Sequence, residues 1–362
     1  MKYYSLKKIN SKNAVYNIIF GERSNGKTYA CLKQALDNYF NNGSQFVYLR
    51  RWTVDIQPKR MVNLFNALVE NDYIRKISND KFTNVYYRTG TFYLCHYDDS
   101  GKPIYNDDDI LGYAFSLSDT EHDKSSSYPK VSTIVFDEFL TNHIYLNDEF
   151  ILFMNTVSTI VRLRTDVKIY MLGNTVNKYC PYFKEMGLDN ILTMNKDTID
   201  IYKYGESNLT VAVEYAGSTK RLKSNNFYFA FKNPKLKMIT GGDWELNIYP
   251  HAPIKWKSKD IQFIYFIDFN DQLFQCEIIL KDNNFFTYIH EKTTPLQNNK
   301  TDIIYSLEHK PDLRYNINIL KPYNEVGKRI SWFFIHNKVY YQNNDVGESI
   351  NNFLKESSRK WT

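Results

Sequence analysis

The stretch that decides the fold is Gly21-Glu22-Arg23-Ser24-Asn25-Gly26-Lys27-Thr28, which follows an apolar run over residues 14–20 and opens a helical pattern over residues 27–40. It meets the phosphate-binding pattern G-x-x-x-x-G-K-[ST] at every fixed position and lies between strand and helix, where the mechanism requires it. Glycines let the backbone wrap so that N–H groups point inward at phosphates, and the helix start adds its positive dipole. In this reading Gly21, Arg23, Ser24, Asn25 and Gly26 form the cradle, Lys27 reaches the β- and γ-phosphates, and Thr28 ligates Mg²⁺.

A phosphate loop needs a carboxylate to hold the metal. Thr133-Ile134-Val135-Phe136-Asp137-Glu138 supplies one at the end of a β-branched run that suits a buried parallel strand. Asp137 is the Mg²⁺ holder through its water shell, and Glu138 is placed to orient and deprotonate the attacking water. An Asp-Glu pair favours ATP hydrolysis over nucleotide binding alone. Phosphoryl transfer also leaves charge on equatorial oxygens, which a further cation stabilises. Arg162, Arg164, Lys124 and Arg23 are the candidates; the first two follow a helical stretch over residues 148–161, where basic residues also suit the helix dipole. Asn174, closing the strand over residues 167–172, is either a polar sensor of the γ-phosphate or a turn residue.

Further strands are expected over residues 46–49 and, as a hairpin around Thr89-Gly90, over 84–96, with an exposed acidic loop over 98–109. Strands alternating with helices predict an α/β domain with a mostly parallel sheet covered on both faces, fading near Leu192. Residues 195–245 are polar and basic with irregular periodicity and read as a linker, which sets the domains at 1–194, 195–245 and 246–362. In the last of these, strand-like runs at 261–268, 273–280 and 285–290 are separated by Asn/Asp turns, 330–341 adds strand-like material, and a helix is expected over 347–356.

Asp268, closing an apolar strand before a hairpin, gives this domain an RNase H-like beginning. A two-metal nuclease needs several converging carboxylates, and only Glu277, Asp282 and Asp345 offer themselves, so a degenerate nuclease fold is expected. Lys255, Trp256, Lys257, Arg314, Lys321, Lys328, Arg329 and Trp332 are candidates for phosphate pairing and base stacking, against ordinary solvated surface.

The 362 residues exceed what one core usually organises, which agrees with two domains. Lys and Arg exceed Asp and Glu by 46 to 40, a mild bias toward polyanionic partners. The four cysteines form no CxxC pair, which argues against zinc and disulfide frameworks and for a reducing compartment. No apolar run reaches the roughly 18 residues a membrane span needs, so a soluble intracellular protein is expected.

Taken together, the loop at Gly21 to Thr28, Tyr48-Leu49-Arg50-Arg51, Lys124-Ser125-Ser126-Ser127-Tyr128-Pro129, Ile134-Val135-Phe136-Asp137-Glu138-Phe139, Arg162-Leu163-Arg164, Gly173-Asn174 and Pro181-Tyr182-Phe183 resemble the DNA-packaging ATPases of small phi29-like bacteriophages. These are relatives of the large terminase and FtsK/HerA motors. The resemblance implies an ASCE-type P-loop ATPase domain using ATP and Mg²⁺, and a vestigial RNase H-like nuclease domain. It further implies a homomeric ring, a pentamer, that pumps double-stranded DNA at the portal of a viral prohead in the host cytoplasm, with a structural RNA as scaffold in some relatives. Glu138 resembles the family's catalytic glutamate, Arg162 its trans-acting arginine finger with Arg164 as alternative, and Lys124 a lysine presented across the subunit interface. Cations leaving the second strand, Lys59 and Arg60 within residues 50–60, are the candidate DNA contacts. The rival readings are another ring-forming DNA translocase or helicase, and a packaging nuclease with an active C-terminal domain.

Overall fold

The computed structural model describes residues 4–119, 127–142, 145–175, 180–217, 248–252, 254–296, 301–308 and 315–359. The chain divides into two units, Met1–Glu245 and Leu246–Thr362.

The first unit is built on one sheet that includes the interior strand β1 (Tyr16–Gly21), buried along its whole length. Chain order then gives β2 (Gln45–Arg50), β3 (Asn84–Arg88), β4 (Thr91–Tyr97), β5 (Pro103–Ile104), β6 (Ile110–Ser116), β7 (Val131–Asp137), β8 (Lys168–Asn174), β9 (Ile199–Tyr204) and β10 (Leu209–Ala216). The spatial order is β3-β4-β6-β2-β7-β8-β1-β10-β9, with β5 paired to β4. From β6 to β10 every pairing is parallel; the β3–β4 hairpin and β9 add antiparallel edges. Strand β8 separates the phosphate-loop strand β1 from β7, which is the additional strand that defines the ASCE class.

Period-two alternation explains how one strand serves two cores. Ile19 points to the face covered by α2 (Lys27–Asn42), with Cys31, Ala35 and Leu36. Ile18 and Phe20 point to the opposite face, covered by Phe153, Val157 and Ile160 of a helix over Glu149–Val161 and by Tyr182 and Phe183 of another over Pro181–Glu185. The smaller helices α1 (Lys7–Asn10), α3 (Pro58–Met61), α4 (Asn66–Glu70) and α5 (Tyr73–Ser78) precede these, so the latter two are α6 and α7.

The sheet does not end near residue 194. Strands β9 and β10 lie in the stretch read as linker, and β10 pairs in parallel with β1 over six consecutive residues. Pairing with β1 makes a strand of β10, and β10 in turn pairs with β9, whose charged residues Asp200 and Lys203 obscured its periodicity. Strand β6 also went unread. Gly112 sits there because a Cβ would lie 2.4 Å from the Phe46 carbonyl oxygen of the neighbouring strand.

In the second unit β11 (Ile261–Phe269), β12 (Gln272–Lys281) and β13 (Asn284–Glu291) form an antiparallel meander. Its two tight turns, Asn270-Asp271 and Asp282-Asn283, both take left-handed backbone at each residue, the geometry that short hairpins favour. β14 (Ile304–Ser306) joins β11 in parallel, β15 (Tyr315–Asn316) joins β14, and β16 (Val339–Tyr341) joins β13. This is the RNase H-like strand order, carrying one extra strand at the β13 edge. Two helices follow β15, α8 (Glu325–Ile335) and α9 (Asn344–Arg359). The strand-like material expected over 330–341 is therefore helix over 330–335 and strand only at β16. Asn324 caps α8 by accepting from the Gly327 N–H at 2.7 Å, while Ile330 and Phe333, three apart, turn inward and Trp332 and Ile335 outward.

Candidate functional site

β1 ends at Gly21, whose φ of +143° and close neighbour both demand glycine: a Cβ would stand 2.2 Å from the carbonyl oxygen of Ala216 in β10. The chain then turns through Ser24 (φ +59°) and Gly26 (φ +92°) into the first turn of α2. One cleft of 620 Å³ gathers Arg23 to Thr28, Asp137 and Glu138 at the tip of β7, and Asn174 at the end of β8. All lie at the carboxyl edge of the parallel strands, where open α/β sheets bind ligands.

Lys27 donates from Nζ to the Glu22 carbonyl at 2.7 Å and to Asn174 Oδ1 at 3.4 Å. Burial lowers its pKa to about 8, against the raising influence of Asp137 and Glu22. Asn174 thus stands beside Lys27, at the end of β8, and not in a solvent turn. The Asp137 carboxylate is held on both sides: Oδ2 accepts from Thr28 Oγ1 and from the Tyr48 hydroxyl, each at 2.9 Å, and Oδ1 accepts from the Glu138 N–H at 3.0 Å. Tyr48 is fully buried; its burial and the Asp137 charge keep the phenol well above its ordinary pKa, so it remains a donor.

Glu138 occupies left-handed backbone at φ +59°, which points its side chain, 58% exposed, to the open side of the cleft. There it meets Arg50 at the end of β2, whose Nη2 lies 2.6 Å from Oε2. Arg50 also reaches Asp55 at 3.6 Å and the Tyr48 hydroxyl at 3.4 Å. Burial disfavours its charge, but Tyr48 and Glu138 outweigh this and raise its pKa further. The next residue, Arg51, turns into the protein and binds Glu149 at 2.7 Å. Sequence reasoning missed Tyr48, Arg50, Arg51 and Glu149 as site residues. The available signal was two consecutive arginines closing a buried strand at the sheet's carboxyl edge.

Arg162 and Arg164 lie at the other end of the sheet, in the turn between α6 and β8. Seven strand residues at about 3.3 Å each separate them from Asn174, roughly 20 Å. Arg162 is exposed, in left-handed backbone at φ +50°. Arg164 instead faces inward: its guanidinium donates to the carbonyls of Val131 (2.7 Å), Pro129 (3.1 Å), Ile160 (3.1 Å) and Tyr128 (3.2 Å). Lys124 falls outside the described residues, as does Arg314. Lys59 and Arg60 are exposed on α3, and Arg60 pairs with Asp55, which in turn pairs with Arg50.

The carboxylates proposed for the second unit do not converge. Asp268 is in register with Leu273 and Ser306, Asp282 sits in a hairpin turn, and Asp345 starts α9. Glu277 accepts from Gln275 (2.8 Å) and Trp256 (3.3 Å) and lies 3.5 Å from His290. Among the described residues no group of three or more acids, histidines or cysteines is placed to hold a metal ion. Nor is any described helix long and apolar enough to cross a membrane, and all four cysteines are buried and unbonded.

With this geometry in hand, likeness to known proteins is informative. DNA packaging proteins of Bacillus phages PZA and phi29 are each 24% identical over 324 residues, covering 89% of this chain and 87% of theirs. The bacteriophage Phi-29 viral genome packaging motor assembly shares the fold, with a TM-score of 0.57 at 22% identity over 99% of both chains. The sequence profile of podovirus DNA encapsidation proteins (Gp16) matches residues 1–357, and the chain belongs to that family.

Proposed function

We propose that this chain is an ATP-driven motor that moves double-stranded DNA into a viral prohead. The observation that carries the reading is the single cleft in which Lys27, Thr28, Asp137 and Glu138 meet, in a member of an encapsidation family. A hydroxyl and a carboxylate hydrogen-bonded to each other offer hard oxygen ligands, and Mg²⁺ ordinarily takes one or two carboxylates with phosphate and water oxygens for the rest. Thr28 and Asp137 would hold that ion, which when bound neutralises charge on the phosphates. Lys27 grips the triphosphate and Glu138 orients the attacking water and accepts its proton. In the arrangement described, the Glu138 carboxylate is engaged by Arg50. Hydrolysis requires that it leave this partner, so the Arg50 pair is a resting state of the base.

Arg162 cannot reach a nucleotide on its own loop from about 20 Å away along β8. It serves instead as a finger for a neighbouring copy, in a ring whose proposed size is five. Arg164, tied to four carbonyls, is proposed to brace the 128–131 segment instead. The exposed cations Lys59 and Arg60 are proposed to touch DNA phosphates, contacts that carry no sequence preference. Through Asp55 and Arg50, Arg60 connects by charge pairs to Glu138, a route from DNA contact to the base. The place of work is the portal vertex of a prohead in the host cytoplasm. Purified proheads with this protein and ATP should protect genome-length DNA from added nuclease. Full protection without ATP, or none with an active ATPase, would overturn the proposal.

A further inference from the structure

Arg51 spends its guanidinium in an unexpected way. Side chain and partner are both buried, 5% exposed for Arg51 and 2% for Glu149. Nε binds Glu149 Oε2 at 2.7 Å, while the two terminal nitrogens donate to main-chain carbonyls, Nη1 to Glu138 at 3.1 Å and Nη2 to Phe139 at 2.6 Å. An ion pair that merely anchored α6 would need none of those carbonyl contacts. Glu149 is itself saturated: Oε2 also accepts the Leu146 N–H at 2.7 Å and Oε1 the Tyr182 hydroxyl at 2.9 Å. The Tyr145 ring lies under the guanidinium, 4.9 Å from ring centre to Cζ. Neither Arg51 nor Glu149 lines the nucleotide cleft; Glu138, whose carbonyl Arg51 binds, does.

What the cluster holds is the backbone on which the base is mounted. Glu138 takes φ +59°, a conformation non-glycine residues occupy only where their surroundings fix it. Its N–H is pinned by Asp137 Oδ1 at 3.0 Å, the following N–H of Phe139 by the Leu172 carbonyl at 3.1 Å, and the two carbonyls by Arg51. Without the guanidinium, both carbonyl oxygens lose their donor and the turn is free to relax to negative φ. That relaxation swings the Glu138 side chain off its present line.

Resting on the assignment of Glu138 as the base, we infer that Arg51, seated by Glu149, is a positioning residue for hydrolysis: it fixes the Glu138 backbone and leaves nucleotide binding to the loop. The test compares four variants of the full chain: Arg51→Lys, the paired swap Arg51→Met with Glu149→Met, Glu138→Gln, and the swap combined with Glu138→Gln. The paired swap removes both charges together, so no lone buried charge remains to unfold the protein. Urea unfolding, equilibrium ATP affinity and single-turnover hydrolysis are measured for each. For both Arg51 variants the expectation is affinity within about threefold of the parent and a hydrolysis rate at least about tenfold lower. Added to Glu138→Gln, the swap should lower the residual rate no further, because a residue acting only through the base has nothing left to position.

A parental hydrolysis rate in a folded Arg51 variant overturns the inference, as does a further full loss in the Glu138→Gln background. Should the paired swap fail to fold, Arg51→Lys decides by the same rates, since it keeps the charge but cannot fork onto two carbonyls and a carboxylate. Parental hydrolysis by Glu138→Gln is a separate result: it removes the base assignment itself, and the positioning role with it.

Discussion

The turn after α6 carries two arginines, and removing them one at a time should give opposite results. Arg164 donates four hydrogen bonds to carbonyls of the 128–131 segment and of α6, the shortest 2.7 Å. Charged hydrogen bonds contribute about 1.5–3 kcal/mol each. Its side chain is 27% exposed, so water replaces part of what is lost, and Arg164→Ala should cost roughly 2–4 kcal/mol. Against a total stability of about 5–15 kcal/mol this is large, and it should lower the Tm by roughly 5–15 °C. Arg162→Ala, at an exposed position, should leave the unfolding curve within about 0.5 kcal/mol of the parent. Its effect should appear in ATP turnover, with partial rescue when Arg162→Ala subunits are mixed with Glu138→Gln subunits, since each supplies what the other lacks. Urea unfolding and steady-state ATPase on the same preparations measure both. An Arg164→Ala protein of parental stability that has lost turnover would refute the reasoning and move the finger to Arg164.

Lys27→Ala should abolish ATP binding and turnover, whereas Glu138→Gln should abolish turnover and keep ATP, as read by equilibrium binding and phosphate release. Because burial lowers the Lys27 pKa to about 8, the lysine is charged below that value and neutral above it. Triphosphate affinity should therefore be flat below about pH 7.5 and weaken by up to about tenfold per unit above 8, a slope absent in Lys27→Gln. Arg50→Ala should release the Glu138 carboxylate, so DNA-independent hydrolysis should rise; a fall would mean that Arg50 serves the base actively and not as its resting partner. Gly21→Ala should destabilise by about 3 kcal/mol or more in urea, since the new methyl meets the Ala216 carbonyl oxygen of a paired strand that cannot give way.

The nucleotide cleft was legible because its chemistry demands fixed residue types at fixed spacing. Gly21 and Gly26 are required by positive φ, Lys27 and Thr28 follow them directly, and Asp137 and Glu138 close a strand that advertises itself by Thr133 to Phe136. Strand β8 and helix α6 were read from periodicity with nearly their observed limits. What the sequence hid depends on distant partners. Strand β10 exists because β1 offers it a hydrogen-bonding edge almost two hundred residues earlier. The α8 segment lists aromatic and aliphatic residues so densely that strand and helix fit alike, and only the Asn324 cap marks its start. Arg51 looks like any strand-end arginine until Glu149, Glu138 and Phe139 are seen around it.

Strand β10 has a mechanical meaning. It is the last described strand before the chain passes toward the second unit, and it lies one strand spacing, about 4.8 Å, from β1. Its last residue, Ala216, pairs with Gly21, where the phosphate loop begins. Two parallel strands loaded along their length resist in shear, with all their rungs bearing at once, whereas peeled strands yield rung by rung. A load on β10 is thus carried into β1 by six paired residues, the last of them Gly21 at the start of the phosphate loop.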